Sequence, residues 1–380
     1  MVPGLLRELL DLPLLDYISF RTAMAGLTAF AVALALGRPT IAWLRGHRVS
    51  EPVTKTDSAE LAQLVAQAKR DTPTMGGSFL IAALLLSVLV WCRLDSLGVV
   101  LAVMLTAGLA AVGFVDDFKK LTLPDSKGLS ARAKLTGQTV VTLAVLFAFV
   151  WYARSSGRWT LLTIYPPFFK DASISFGEGI VGAGAFLAFG WLVVVGTSNA
   201  ANITDGLDGL AVGCMLISGL ALSIFCYVTG RADWTEYLNL PHVPAAAEMT
   251  VVGGALCGAC MGFLWYNAYP ARVFMGDSGS LPIGGLLAWM ALLAKQELVL
   301  PLIGFVFFAE MGSSALQRFW YKRTGGVRLF TMAPIHHGLQ TRGGIFSPGP
   351  ERWHEATIVI RAWIVAAACA LASLALLKVR

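Results

Sequence analysis

The chain has 380 residues, of which 56% are hydrophobic and only 14% are charged. A soluble domain of this length needs far more polar surface to cover itself, so the composition excludes an ordinary soluble protein. The formal net charge is +6, but the lysines and arginines lie beside long apolar runs, where membrane orientation explains them better than nucleic-acid binding does. No nucleic-acid partner is therefore expected.

Apolar runs of about 20 residues recur along the chain, and each is long enough to cross a lipid bilayer as a helix. Charged segments separate them, which excludes a single anchor on a soluble domain. We therefore predict an all-α, polytopic integral membrane protein with about ten transmembrane helices, in which residues 1–380 form one domain. The predicted spans are 18–44, 75–92, 97–116, 135–153, 180–198, 209–228, 249–267, 279–294, 298–319 and 356–377.

The distribution of Lys and Arg predicts which connections face the cytoplasm. Most of these cations follow odd-numbered spans, and the side that carries more of them is normally the cytoplasmic one. Both termini are then predicted to be periplasmic. The cytoplasmic connections that we expect to form one functional face are 45–73, 117–134, 199–208, 267–279 and 320–355.

Five polar segments stand out against the apolar spans, and under this topology all of them lie on the cytoplasmic side. They contain the carboxylates Asp116, Asp117, Asp205, Asp208 and Asp277. Unpaired charge is costly beside a low-dielectric layer, so we expect cations to balance these groups. The segments are KRDTPTMGG (69–77), GFVDDFKK (113–120), NAANITDGLDG (199–209), NAYPARVFMGDSGS (267–280) and APIHHG (333–338).

The combination of acids and lysines indicates a metal together with phosphate. Hard carboxylate oxygens suit Mg²⁺, which takes one or two carboxylates and completes its shell with water and substrate phosphates. Lysines fit poorly into a metal cage but well around a pyrophosphate. The lysines near the acids are Lys69, Lys119, Lys120, Lys127 and Lys134.

Each polar group also has a purely structural interpretation. Asp116 and Asp117 are adjacent and would point in different directions on a helix, so they could simply end it. Asp277 could be the N-cap of the eighth span. Asn202, Asp205 and Asp208 could cap turns, and His336 and His337 could be a solvated pair. Glu310 could form a hydrogen bond between helices. Separately, Gly254, Gly258 and Gly262 could allow close helix packing, within the chain or in a dimer.

The polar segments resemble, in order and over nearly the whole chain, the polyprenyl-phosphate N-acetylhexosamine-1-phosphate transferase superfamily. Within it they are most similar to the phospho-N-acetylmuramoyl-pentapeptide transferase family. The segments that carry the resemblance are TPTMGG (72–77), GFVDD (113–117), NITDGLDGLA (202–211), GFLWYNAYPARVFMGDSGS (262–280), RLFTMAPIHH (328–337) and LALLKVR (374–380).

The resemblance implies a Mg²⁺-dependent enzyme of the bacterial inner membrane with an active site that faces the cytoplasm. It implies transfer of phospho-N-acetylmuramoyl-pentapeptide from its UDP derivative to undecaprenyl phosphate, which gives lipid I and UMP in peptidoglycan synthesis. The implied partners are these two reactants and the surrounding membrane lipids. Assembly as a homodimer is left open.

Carried over residue by residue, the resemblance implies a catalytic set of Asp116, Asp117, Asp277 and His336, with Mg²⁺ held by Asp277 and Asp117. The chain departs from the family at Gly338, where the third member of a His-His-His run is expected. Leu339 and Gln340 follow where the family usually has an aromatic residue and Glu, and residues 341–351 are rearranged. The role of the histidine loop is therefore left open. The expected substrate-binding residues are Lys69, Thr74, Lys120, Lys127, Lys134, Asn202, Asp205, Asp208, Asn267, Phe274 and His337.

The expected reaction is a direct displacement in which Asp116 accepts a proton from the lipid phosphate, whose oxygen attacks the sugar-linked phosphorus. A two-step path through a phospho-aspartate at Asp117 or Asp277 is the alternative. The alternative functions are a sister transferase that uses UDP-N-acetylglucosamine and, more remotely, a transporter or lipid flippase. A transporter would spread its acids through the depth of the bilayer.

Overall fold

Helices make up nearly all of the regular structure in the computed structural model, which describes residues 13–47, 72–122, 128–169, 172–176 and 179–378. Within these residues the only strands are β1 (Thr163–Ile164) and β2 (Ile174–Ser175), which pair antiparallel. The predicted all-α class is confirmed. The helices are α1 (Ile18–Gly46), α2 (Gly77–Trp91), α3 (Leu97–Thr122), α4 (Ala131–Ser155), α5 (Ile180–Thr204), α6 (Leu210–Thr229), α7 (Ala232–Leu238), α8 (Pro244–Ala247), α9 (Met249–Asn267), α10 (Asp277–Leu293), α11 (Leu300–Ile303), α12 (Phe305–Arg323), α13 (Ile335–Arg342) and α14 (Glu355–Ala375).

Each span predicted from the sequence coincides with a helix, although the ninth is divided into α11 and α12 at Gly304. Among the described residues, seven helices are long and apolar enough to cross a membrane. The chain is therefore a multi-pass membrane protein. The number of crossings and the side of each terminus stay predictions.

Two helices continue beyond the apolar runs that predicted them. Helix α3 reaches Thr122 instead of residue 116, and α5 reaches Thr204 instead of residue 198. Hydropathy marks the thickness of the apolar layer, whereas a helix can continue beyond that layer because its backbone hydrogen bonds are internal. Asp117 and Asn202 consequently lie on helices, within segments that were predicted as connections.

Helix α10 is the centre of the bundle, because all its residues are buried and it contacts α2, α3, α5 and α6. Small residues let these neighbours approach. A Cβ at Gly284 would lie 2.8 Å from the carbonyl oxygen of Thr197, and Ser198 Oγ donates a 2.9 Å hydrogen bond to the Leu281 carbonyl. The position of α10 therefore fixes the helices around it.

The glycines at positions 254, 258 and 262 form a close-packing face on α9. They face α1 of the same chain: a Cβ at Gly258 would collide with the carbonyl of Gly26, and one at Gly262 would lie 2.6 Å from Ala33 Cβ. Small residues at a membrane helix interface allow this approach of two backbones. Packing within the chain is therefore the use of this face.

At the opposite end of α10 from Asp277, two buried ionic groups are held by specific partners. Arg21 on α1 donates to the Glu248 carboxylate over 2.7 and 2.5 Å. Lys295, which follows α10, is 3% exposed, and its Nζ donates to the Leu161 carbonyl over 2.6 Å. Burial lowers the pKa of Lys295 to about 8, against the opposing effect of the nearby Glu297 charge.

Candidate active site

Three carboxylates that were predicted as catalytic or metal-binding meet at one end of the bundle. Asp116 and Asp117 lie near the end of α3, and Asp277 is the first residue of α10. One oxygen from each lies within 4.8 Å of the others, and all three residues are buried. The motifs on α3 and α10, far apart in sequence, therefore form one acidic cluster.

Asp117 caps the start of α10. Its Oδ2 accepts a 2.9 Å hydrogen bond from the Ser278 N–H, and its Oδ1 accepts a 3.3 Å bond from the Asp277 N–H. The first amides of a helix have no partner within it, and a carboxylate there also offsets the positive end of the helix dipole. The interpretation of Asp277 as the N-cap is wrong, because Gly276 holds that position and α3 supplies the carboxylate.

Two glycines allow α3 and α10 to approach this closely. Gly276 has a φ of +73°, where an L side chain is strained, and a Cβ there would lie 2.6 Å from Asp117 Oδ2. Gly113, one turn before Asp117, faces the Asp277 carbonyl so closely that a Cβ would collide with it. The cluster therefore depends on the absence of side chains at both positions.

Two of the predicted lysines offset part of the negative charge of the cluster. Lys120 Nζ lies 2.7 Å from Asp116, 3.4 Å from Asp117 and 3.6 Å from Asp277. Lys134 Nζ, from the start of α4, lies 2.5 Å from Asp277 Oδ2. Buried carboxylates need such partners, because an unpaired charge in an apolar interior is strongly destabilising.

A side-chain amide and a main-chain amide set the orientation of the carboxylates. Asn202 Nδ2 on α5 donates a 2.6 Å hydrogen bond to Asp277 Oδ1, and its Oδ1 lies 3.2 Å from Lys134 Nζ. The Leu129 N–H donates to Asp116 Oδ1 over 2.7 Å. The acidic cluster is therefore held by groups from α5 and from the connection between α3 and α4.

The donor set fits a divalent metal ion that prefers oxygen. Three carboxylates converge, and their combined charge exceeds that of the two lysine ammonium groups beside them. Mg²⁺ binds carboxylate oxygens together with water and substrate phosphates, so these residues could hold such an ion. Asp277 Oδ2 faces both Lys120 and Lys134, and a bound cation would share this oxygen with them or replace them.

The TPTMGG segment pairs along its backbone with the residues that precede Asp277. The Phe274 N–H donates to the Pro73 carbonyl, and the Gly76 N–H donates to the Phe274 carbonyl, each over 2.8 Å. Thr74 is buried beside Gly276, since a Cβ on that glycine would lie 3.1 Å from Thr74 Oγ1. Two of the predicted polar segments are therefore one structural unit at the edge of the cluster.

Asn267 and Asp208, which were expected to bind substrate, have side chains that hold the loop between α9 and α10. Asn267 Nδ2 donates to the Val273 carbonyl over 2.8 Å, and its Oδ1 accepts from the Gly209 N–H over 3.1 Å. Asp208 Oδ2 accepts from the Ala271 N–H over 2.9 Å. These bonds position the loop that leads to Asp277, and contact of either side chain with a substrate stays a prediction.

The remaining expected substrate-binding residues are placed as follows. Asp205 is the C-cap residue of α5 and lies outside the three carboxylates that converge. Phe274 contributes its backbone to the pairing with TPTMGG. Lys69 and Lys127 lie outside the described residues, so their roles stay predictions.

The predicted histidine pair lies at the start of α13, and its first member is buried. His336 is 1% exposed, and its Nδ1 lies 3.2 Å from Glu310 Oε2 on α12. Its Nε2 faces Gly206 so closely that a Cβ there would collide, and the His337 ring centroid lies 4.2 Å away. The interpretation as a solvated pair is therefore wrong for His336. A direct catalytic role for it stays a prediction.

Glu310, for which the sequence predicted only a structural role, contacts one of the implied catalytic residues. The expected hydrogen bond between helices is present, and its donor is the main-chain N–H of His336, one of the implied catalytic residues, at 3.4 Å from Glu310 Oε2. The position of Glu310 inside an apolar span is a sequence signal for a functional role, because a carboxylate there is costly and commonly functional.

Gly338 lies where the chain folds back on itself. A Cβ there would lie 2.8 Å from Thr331 Oγ1 and 3.2 Å from the Met332 carbonyl oxygen. The Thr331 N–H also donates to the Ile345 carbonyl over 2.8 Å, so the rearranged residues pack against the segment before α13. The glycine and the rearrangement after it are thus parts of one local structure.

Comparisons of the sequence with known proteins show which family the chain belongs to. Residues 99–295 match glycosyl transferase family 4. The chain is 41% identical over 365 residues to the phospho-N-acetylmuramoyl-pentapeptide-transferase of Desulfosudis oleivorans, which covers 96% of this chain and 95% of the relative. Proteins of the same name are 40% identical in Neisseria meningitidis serogroup C, with 98% and 97% covered, and 42% identical in Granulibacter bethesdensis, with 97% and 95% covered. The chain therefore belongs to the phospho-N-acetylmuramoyl-pentapeptide-transferase family and is a membrane-embedded phospho-sugar transferase.

Proposed function

We propose that the chain transfers phospho-N-acetylmuramoyl-pentapeptide from its UDP derivative to undecaprenyl phosphate, giving lipid I and UMP in peptidoglycan synthesis. The observation that carries the proposal is the convergence of three carboxylates with Lys120 and Lys134 at one end of a membrane-crossing bundle. Such a set can hold a diphosphate and its counter-ion. The name of the relatives, which match over nearly their full length, supports the choice of sugar.

The proposed location of the site is the cytoplasmic face of the bacterial inner membrane. The excess of Lys and Arg in the connections on the side of the acidic cluster supports this orientation. The nucleotide sugar is soluble, whereas the polyprenyl tail is apolar. A site at the membrane surface lets each reactant arrive from its own phase.

Asp116 is proposed as the base that accepts the proton of the lipid phosphate, whose oxygen then attacks the sugar-linked phosphorus and displaces UMP. Asp117 suits this role less, because amides of α10 already engage both its oxygens. Asp116 accepts one main-chain hydrogen bond, at Oδ1, and its Oδ2 faces Lys120. A positioned base contributes about 10²–10⁴-fold to the rate.

Asp277 and Asp117 are the residues that would hold Mg²⁺. A bound Mg²⁺ would offset the negative charge that builds on the pyrophosphate as UMP leaves. Lys120 and Lys134 are proposed to orient the phosphates, and preorganised cations of this kind act without rearranging solvent. Asn202 keeps Asp277 in position through the 2.6 Å hydrogen bond.

The test is release of UMP by the purified full chain supplied with Mg²⁺, UDP-N-acetylmuramoyl-pentapeptide and undecaprenyl phosphate. Asp116→Asn should lower turnover by about 10²–10⁴-fold. Asp95→Asn is the matched control, because this exposed carboxylate pairs with Arg93 away from the site. No UMP from the unaltered chain, or equal turnover in the Asp116 and Asp95 variants, would rule out the proposal.

A sister activity with UDP-N-acetylglucosamine is the second candidate, because Gly338 and the rearranged residues after it depart from the family pattern. The same assay with both nucleotides separates the two. Labelled UMP exchanging into the nucleotide sugar without a lipid acceptor would favour a phospho-aspartate path over direct displacement. A transporter is disfavoured, because Asp116, Asp117 and Asp277 meet with Lys120 and Lys134 at one end of the bundle instead of marking a path through its depth.

A further inference from the structure

A basic and aromatic segment, residues 318–328, follows the buried part of α12 and has no role in the proposed reaction. Between Glu310 and Glu351 the sequence contains no aspartate or glutamate. The segment therefore has a strong local excess of positive charge. Its cations are Arg318, Lys322, Arg323 and Arg328, and all four are exposed.

These cations have no acidic partner among the described residues. Within the part of the chain that the structure describes, none of the four forms an ion pair. Arginines at the other end of the bundle differ, because Arg93 pairs with Asp95 at 2.9 Å and Arg231 pairs with Asp233 at 2.6 Å. An exposed, unpaired group of cations is available to an anionic surface, whereas these paired arginines are already neutralised.

Three consecutive aromatic residues accompany the cations at the end of α12. Phe319 is 65% exposed, Trp320 is 39% exposed and Tyr321 is 48% exposed. Consecutive helix residues point about 100° apart, so these rings surround much of the helix. Aromatic rings at the end of a membrane helix normally lie at the level of the lipid headgroups, beside snorkelling lysines and arginines.

The segment is fixed at its base. Gln317 Oε1 accepts hydrogen bonds from the Leu329 N–H at 3.0 Å and the Phe330 N–H at 2.9 Å. These bonds hold the two ends of residues 318–328 together. The chain then leads directly to His336, which packs against Gly206 near the acidic cluster. The segment therefore lies on the same side of the bundle as the candidate active site.

We propose that residues 318–328 bind the anionic phospholipid headgroups of the leaflet on which the candidate active site lies. Clusters of basic residues at the end of a membrane helix are attracted to anionic lipid, and each cation near the surface contributes about fivefold in affinity. The exposed aromatic rings favour a lipid surface over a soluble anion, because they need an apolar layer to bury in. The inference goes beyond the proposed function and does not depend on it.

The test measures lipid retention, with no substrate present. The immobilised full chain is equilibrated with mixed micelles of equal phosphatidylglycerol and phosphatidylcholine, and the retained lipids are quantified by mass spectrometry. Lys322→Gln together with Arg323→Gln should lower the preference for phosphatidylglycerol by up to about 25-fold. Arg93→Gln together with Arg231→Gln removes the same charge from the paired arginines and should leave the preference unchanged.

A second arm needs no variant. Raising the salt from 0.1 to 1 M shortens the screening length from about 10 Å to about 3 Å, so the preference of the unaltered chain should fall. Equal retention of the two lipids by the unaltered chain, or an equal loss in both double variants, would overturn the proposal. Displacement of phosphatidylglycerol by inorganic phosphate or UMP would instead identify a site for soluble anions, and would also overturn it.

Discussion

Replacement of Gly276 by alanine tests the geometry on which the acidic cluster depends. The backbone at this position has a φ of +73° and a ψ of −178°, a region that is almost confined to glycine. The added Cβ would lie 2.6 Å from Asp117 Oδ2 and 3.1 Å from Thr74 Oγ1. Either the backbone or the Asp117 carboxylate must therefore move.

The expected loss of folding stability in Gly276→Ala has two parts. A side chain in this backbone region is strained by about 1–3 kcal/mol. Displacing Asp117 from the first amides of α10 removes a helix cap, which costs about 0.5–2 kcal/mol. We expect Gly276→Ala to lose about 2–4 kcal/mol of stability. Because Asp117 shares the cluster with Asp116 and Asp277, turnover should also fall by about 10²-fold.

The measurements are thermal unfolding of the full chain in detergent and release of UMP. Gly312→Ala is the matched control, because nothing lies within 4 Å of a Cβ at that position on α12. Alanine is the better helix former there by about 0.8–1 kcal/mol, so the control should melt no lower than the unaltered chain. A Gly276→Ala protein that melts and turns over like the unaltered chain would refute the account of how α3 meets α10.

Three further changes have defined outcomes. Lys134→Met removes the ammonium group 2.5 Å from Asp277 and should lower UMP release by about 10²-fold; turnover near that of the unaltered chain would contradict this. Gly338→His adds a side chain whose Cβ would lie 2.8 Å from Thr331 Oγ1, so thermal unfolding should show a loss of about 1–3 kcal/mol in stability. An unchanged melting temperature would argue against the packing described. Lys295 has a pKa of about 8 in the folded chain and about 10.4 in the unfolded chain. Between these two pH values the unfolded chain binds more protons than the folded chain, so the free energy of unfolding should rise with pH across that window. Lys295→Met should flatten this rise in melting curves recorded at successive pH values, and an equal slope in both proteins would contradict it.

The acidic cluster is the part of the site that sequence predicted best. Asp116, Asp117 and Asp277 sit in short polar motifs surrounded by apolar residues, and the cost of burying their charge required nearby cations. Lys120 and Lys134 supply that charge in the structure. The cost of burying charge indicated five carboxylates that need cations, and the family resemblance indicated the three among them that meet; Asp205 and Asp208 lie outside the cluster.

The sequence could not show whether a given polar side chain binds substrate or holds a loop in place. Asn267 and Asp208 carry the same donors and acceptors as a substrate-binding residue would, but their partners are main-chain groups of a loop whose path only the fold defines. Helix ends were also misplaced, because hydropathy falls at Asp116 while α3 continues to Thr122. The pairing of Glu310 with His336 joins residues of separate helices, and no local pattern encodes it.

The acidic and basic halves of the site are held in different ways, and this difference suits a phosphate transfer. Main-chain N–H groups of Ser278 and Leu129 fix the Asp117 and Asp116 carboxylates. Lys120 instead reaches the cluster on a flexible stem whose three donors can turn toward a new partner. Where a bound cation takes over the charge of the carboxylates, such a lysine can turn toward an arriving anion, whereas the carboxylates keep their places. The fixed acids therefore define where a cation binds, and the lysines can follow the phosphate that is transferred.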